Sequence, residues 1–290
     1  PVKGELTVVK KGEVLKDYGK DFKYEMENLA GAVFAIYAAE DIYTADFQKD
    51  DAGNRILEYA KDTLVAELTT DETGSATIKN LPLGNYRVVE KTAPDGFVHK
   101  KAEQNVQFVY VDQDTPAVVE SVEFINERQK VEISVEKQDA ENGSTIAGAE
   151  FGLYAKEDIK AGEKVIVKAD EQLCTAVTGE DGTAIFEQNL PFGSYYIKEL
   201  QAPDGFVSSD EIIEVTVSYQ GQDVEVVRLK EIFKNQPTTV EFRKSDLTTG
   251  EELPGAKLEV TDQDGTVVDE WTSGTEPHII KELEVGKEYT

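Results

Sequence analysis

The chain has 290 residues and 32.1 kDa, and carries 30 Lys and Arg against 58 Asp and Glu, a formal net charge of −28. That balance excludes nucleic acid, whose phosphates need clustered basic residues, and argues against docking or insertion at an anionic membrane, for which there is also no apolar run of about 18 residues. One cysteine, Cys174, excludes an intrachain disulfide or a Cys-based metal cluster, and two distant histidines, His99 and His278, leave little for zinc or a Ser–His triad, so no cofactor or metal is expected; yet 39% hydrophobic and 9% aromatic residues describe a folded chain.

The first element, Leu6-Thr-Val8-Val-Lys10, alternates with period two and reads as a strand. An insertion at 11–30 follows, rich in aromatics at Tyr18, Phe22 and Tyr24. It reads either as a ligand-binding loop or as a cover for a sheet edge. NLAGAVFAIYAAEDI (28–42) leads into a second insertion, 38–65, where a helical turn is expected near 40–47 or 55–61. LPLGNYRVVEKTAPDGFV (81–98) carries the middle strand, and Val122, Phe124 and Asn126 close the unit.

The pattern then repeats. TIAGAEFGLYAKEDI (145–159) matches the segment at 28, and LPFGSYYIKELQAPDGFV (190–207) matches that at 81; a third copy begins ELPGAKLEV at Glu252 and reaches Thr290. Glu90 to Asn126 spans 36 residues, as does Glu199 to Asn235; Lys137 to Gly148 spans 11, as does Lys244 to Gly255. The reading is tandem all-β sandwiches: a first domain at 1–127, a second at 128–236 and a truncated third at 237–290. Short linkers join them at 127–129 and 236–238. Asp-Gly turns punctuate the strands. The acidic turns at 50–53 and 262–265 lack a closing Glu and read as hairpins rather than calcium loops.

Strand parity gives the constellation. Alternate residues share a face, so Leu6, Val8 and Lys10 point one way, as do Ile133, Val135 and Lys137, and Val240, Phe242 and Lys244. Glu90 follows Tyr86 and Val88, and Glu199 follows Tyr195 and Ile197. Asn126 follows Phe124, and Asn235 follows Phe233. Each complete repeat thus places one Lys, one Glu and one Asn on apolar faces. Two readings stand: a buried ion pair capped by Asn, or chemistry. Burial lowers an amine's proton affinity and raises a carboxyl's, leaving a nucleophile beside an acid that polarises the Asn carbonyl, with an amide and ammonia as products.

These segments, AGAEFGLY, LPFGSYYIKELQAPDGF and IFKN with their first-repeat counterparts, resemble the Cna protein B-type (SpaA-like) domains of Gram-positive surface adhesins and pilins. The resemblance implies transthyretin-like, inverse immunoglobulin-like sandwiches. It also implies isopeptide bonds Lys10–Asn126, promoted by Glu90, and Lys137–Asn235, promoted by Glu199. Lys244 matches the third Lys, with its Glu and Asn partners absent. Lys10-Lys11-Gly12 departs from the Lys-x-Asp seen at Lys137-Gln138-Asp139, which makes Lys11 a rival nucleophile that parity disfavours. The expected role is a stalk or shaft segment of an extracellular, cell-wall-anchored protein, not an enzyme, with neighbouring domains as partners. The alternatives are an adhesin binding a host protein or glycan through the repeat-one insertions, and an accessory module of a secreted enzyme. No Leu-Pro-x-Thr-Gly sorting signal or Pro-Lys pilin motif is present. Cys174, aligned with Ala66, reads as a core filler, with a thioester as the sharper alternative. His99 and His278 read as surface or edge residues, and Trp271 as core or unpaired.

Overall fold

The computed structural model describes residues 2–44, 48–112 and 114–290, and every regular element among them is a strand. The first unit holds β1 (Lys3–Tyr18), β2 (Phe22–Asn28), β3 (Val33–Ala38), β4 (Ile42–Tyr43), β5 (Leu57–Tyr59), β6 (Leu64–Thr69), β7 (Ser75–Leu81), β8 (Gly84–Thr92), β9 (Glu103–Phe108) and β10 (Ala117–Asn126). One sheet runs β10-β1-β2, with β7 also on β1; the other runs β6-β3-β8-β9. Between them lie Leu6, Val8, Phe34, Ile36, Tyr86, Val88, Phe108 and Phe124, all buried. Each such side chain contributes about 1.5–3 kcal/mol of transfer free energy. The first and last strands pair in parallel, with Lys10 opposite Phe124 and Gly12 opposite Asn126.

The second unit repeats this plan with β11 (Lys130–Asp139), β12 (Glu150–Ala155), β13 (Ile159–Ala161), β14 (Lys164–Val167), β15 (Gln172–Val177), β16 (Thr183–Ile185), β17 (Gly193–Gln201), β18 (Ile212–Val217) and β19 (Val226–Asn235). Its sheets run β16-β11-β19 and β15-β12-β17-β18, and β11 pairs in parallel with β19, Lys137 opposite Phe233. The third unit has β20 (Thr239–Phe242), β21 (Lys257–Thr261), β22 (Val267–Thr272) and β23 (His278–Lys281) in two two-stranded sheets. They enclose a small core of Val260, Ile280 and Leu283, and Trp271 packs against it beside Phe242, with His278 stacked 4.2 Å away.

A hydroxyl pins the start of β3, β12 and β21 in the same way. Thr70 Oγ1 accepts from Ala32 N–H and donates to Leu29 O; Thr178 does so between Ala149 and Ile146, and Ser273 between Ala256 and Leu253. The backbone groups that precede each strand, buried in the first unit and partly exposed in the third, are thereby satisfied.

Two expectations change. Within the second insertion, the described residues form a β4–β5 hairpin extended by a Lys49–Arg55 bridge, not a helical turn. Asp50 closes it by accepting from Ala52 N–H and Asn54 N–H at 3.0 and 2.7 Å, so local side-chain capping of a turn wins over helix. Residues 45–47, part of the segment read as helical, lie outside the described residues. The first insertion is not a free loop, and the surface it covers belongs to the second unit, at the edge strand β15. β1 continues past Lys10 and returns as β2, and the hairpin tip docks on the second unit. Phe22 is buried in that unit's core cluster, with Leu15, Tyr18 and Tyr24 packed around it. Tyr18 Oη donates to Leu173 O, Tyr24 Oη to Asn189 O, and Asn189 N–H to Asp21 Oδ1 at 2.9 Å. Cys174 lies half-buried beneath this tip, its thiol pushed up to about 12 by burial, so it packs rather than reacts.

Gly12 explains the departure from Lys-x-Asp. A Cβ there would stand 2.4 Å from the Phe97 ring, whereas Asp139 ends β11 by capping its turn at Glu141 N–H and Asn142. One strand must run on into the hairpin; the other must stop.

Candidate functional site

The six core-facing residues of the first two units come together as two equivalent triads. Lys10 and Asn126 lie on the adjacent parallel strands β1 and β10, and Glu90 reaches them from β8 in the facing sheet. Tyr86 Oη donates to Pro82 O at 2.8 Å and fixes the start of β8, as Tyr195 Oη does to Pro191 O at 2.6 Å for β17. Parity then carries each Glu inward two turns of the pleat later.

In the first unit Lys10 Nζ donates to Asn126 Oδ1 at 2.5 Å and stands 3.1 Å from Glu90 Oε1, while Asn126 Nδ2 donates to the same Glu90 oxygen at 3.2 Å. Lys10, Glu90 and Asn126 are 0%, 1% and 1% exposed. In the second unit Lys137 Nζ donates to Asn235 Oδ1 at 2.5 Å and stands 3.2 Å from Glu199 Oε1, and Asn235 Nδ2 donates to both Glu199 oxygens at 2.9 and 3.0 Å. Burial holds both lysines below the ordinary ammonium range, against the opposing pull of Glu90 and Glu199. The carboxylates face the amide nitrogens, not the carbonyl oxygens that the sequence reading assigned to them.

Sequence reasoning missed the aromatic cover. Phe34 and Phe124 sit with ring centroids 4.8 Å apart in the first unit, and Phe151 and Phe233 at the same spacing in the second. The signal was present: each Phe occupies a register position beside Glu or Lys, since Phe34 pairs with Glu90, Phe151 with Glu199, and Phe124 and Phe233 with the two lysines. His99 was also misread as surface. Its side chain is 12% exposed, and its Nε2 lies 2.8 Å from Glu90 O and 4.0 Å from Glu90 Oε2.

Lys244 is a correction: it is exposed, not core-facing. β20 ends at Phe242 and pairs with β23 alone, so no parallel strand offers an Asn beside it among the described residues. Lys11 faces outward and pairs with Glu123 at 2.7 Å. The described residues contain no cluster of three or more His, Cys, Asp or Glu that would hold a metal, and no helix long and apolar enough to cross a membrane.

The SpaA family model, a prealbumin-like fold domain, matches residues 20–123, 131–231 and 238–290. No curated protein matches the chain. Among solved structures the chain is similar to the Bacillus anthracis TIE protein, with 24% identity and a TM-score of 0.59 over 97% of this chain and 43% of that one. It is also similar to a Streptococcal ancillary pilin, at 23% identity and TM-score 0.30 over 82% of this chain and 63% of that one. The shaft pilin spaA from Lactobacillus rhamnosus GG gives 14% and 0.29, covering 82% and 98%. The chain thus spans less than half of the first of these, and at 24% identity its likeness to that protein is one of fold.

Proposed function

The chain belongs to the SpaA family of prealbumin-like fold domains, and from that premise we propose that it is a structural, load-bearing segment of an extracellular surface or pilus-type protein, whose first two units are locked by Lys10–Asn126 and Lys137–Asn235 isopeptide bonds. The observation that carries this is the duplicated triad: in each unit a buried lysine nitrogen lies 2.5 Å from the amide of an asparagine on the neighbouring parallel strand, with one carboxylate beside both.

The chemistry follows from the arrangement. Burial favours the neutral amine, which is the nucleophile. Lys10 Nζ attacks Asn126 Cγ, a C–N bond forms, and the Cγ–Nδ2 bond breaks. Glu90 Oε1 faces both nitrogens, so it takes the proton from Nζ and gives it to Nδ2, which leaves as ammonia. The fold supplies proximity, and the aromatic pair keeps water out. Each site reacts once, so the chain is not a turnover catalyst.

The bond joins the first strand to the last. Tension entering at one end of a unit leaves at the other through the amide, and the strands between are not peeled. The alternative of a ligand-binding first insertion is disfavoured, because its aromatics are spent on the second unit. Nothing observed favours an enzyme accessory module.

Intact mass tests the proposal. The full chain should weigh two ammonias less than its sequence, and each of Lys10→Ala and Lys137→Ala should restore one. An unmodified wild-type mass leaves two buried ion pairs and overturns the crosslinks.

A further inference from the structure

The two triads differ at one atom. In the second unit Glu199 Oε2 is held from outside the triad by the Ser209 backbone N–H at 2.8 Å. In the first unit Glu90 Oε2 is buried and has no hydrogen-bond partner among the described residues. The group standing beside it is the His99 imidazole, 4.0 Å away.

His99 is held there from two sides. Its backbone N–H donates to Gln222 O in the second unit, which fixes the turn after Pro94-Asp95-Gly96. Its Nε2 lies 2.8 Å from Glu90 O. A backbone carbonyl only accepts, so Nε2 carries the hydrogen. The ring therefore presents a donor to the end of β8, with the orphaned oxygen 4.0 Å from the same nitrogen.

That donor matters for the crosslink, and the argument rests on the isopeptide reading above. The proton that leaves Lys10 must travel through Glu90 Oε1, the oxygen facing both Nζ and Nδ2. If the proton settles on Oε2 instead, it points away from the leaving nitrogen and the transfer stalls. A donor at Oε2 denies it that site. We infer that His99 is the positioning residue of the first unit: its Nε2–H pairs with Glu90 Oε2 during bond formation and keeps the mobile proton on Oε1, a role not needed in the second unit, where both Glu199 oxygens face Asn235 Nδ2. His99 gains and loses no proton in the step. The atoms balance as before, with one amide formed and one ammonia released.

His99→Phe keeps a ring in the place without a donor, and His99→Gln keeps a donor without the ring. Each variant of the full chain is made by cell-free synthesis, quenched in acid at intervals, digested, and read by mass for the Lys10–Asn126 and Lys137–Asn235 crosslinked peptides. His99→Phe should slow the first bond about tenfold, the weight of one lost hydrogen bond, and leave the second unchanged. His99→Gln should stay near the wild-type rate. Equal rates for Phe and wild type overturn the inference, and so does a Gln variant as slow as Phe, which would mean that the ring only packs. Absence of both crosslinked peptides from the wild-type chain would instead overturn the isopeptide reading itself, and this inference with it.

Discussion

Glu199→Gln in the second unit separates the crosslink from the packing. Glutamine keeps the shape, and its carbonyl still accepts from Asn235 or Ser209, but it cannot carry a proton from Lys137 to the leaving nitrogen. The variant should therefore weigh only one ammonia less than its own sequence, where wild type weighs two less, with the Lys10–Asn126 bond retained as internal control. The stability change follows from the loop. Lys137 and Asn235 are 98 residues apart, and a covalent closure of that length removes about 4.7 kcal/mol of chain entropy from the unfolded state. For a unit of about 100 residues this corresponds to roughly 20 °C in Tm. The unpaired, buried Lys137 adds to the loss in the same direction. Calorimetry with intact mass on the same sample is the assay. A Gln variant that loses the bond but melts within about 5 °C of wild type would refute the entropic argument. One that still releases ammonia would remove Glu199 from the chemistry.

Two further outcomes follow. Asn126→Ala leaves Lys10 a buried free amine, held below its ordinary 10.5 by burial. The unfolded chain then binds more protons than the folded one, so this variant should gain stability as pH rises from the lowered value toward about 10.5 and lose it as pH falls. With the proposed bond formed, the same nitrogen in wild type is an amide that does not titrate, so the gap in urea midpoint between the two should narrow with rising pH; a constant gap would count against a free amine at that site. Phe22→Asp places a charge in the second unit's core cluster, and removing a buried Phe alone costs about 3–5 kcal/mol. The hairpin should detach, the radius of gyration from X-ray scattering should rise, and proteases should cut at 127–129; an unchanged scattering curve would mean that the linker alone sets the geometry.

Period-two alternation made the triads legible: Lys10, Glu90 and Asn126, and Lys137, Glu199 and Asn235, were placed on inner faces, and the structure brings each set within hydrogen-bond reach. Alternation says which residues share a face and nothing about what covers that face. It therefore failed at Lys244, where β20 has stopped and no parallel partner lies alongside among the described residues. It failed in the same way for the first insertion. Phe22 and Tyr24 alternate correctly, but the sequence holds no sign that their partner surface belongs to the next unit. His99 was invisible for another reason. It reaches Glu90 through a turn that folds back on β8, and the corresponding position of the second repeat is Ser208, so the repeats themselves argued against a shared role.

The hairpin and the crosslink belong to one mechanical argument. With Lys10 joined to Asn126, tension that enters β1 passes across the amide, and residues 11–125 lie in a loop outside its path. The β1–β2 hairpin begins at the first residue of that loop. It is therefore unloaded while it grips the second unit through Phe22, Tyr18 and Tyr24; Arg128 of the linker lies with its guanidinium 3.9 Å over the Tyr24 ring and hydrogen-bonds Asn189. With both proposed crosslinks formed, the load between them runs only through 127–136. That stretch is itself tied down: Gln129 N–H donates to Gly96 O, and its side chain donates to Gly221 O and Val224 O and accepts from Gln220 N–H. A brace set within the loaded path would be pulled apart by the force it has to resist. Placed inside the bypassed loop, it keeps the two units aligned under tension without carrying that tension.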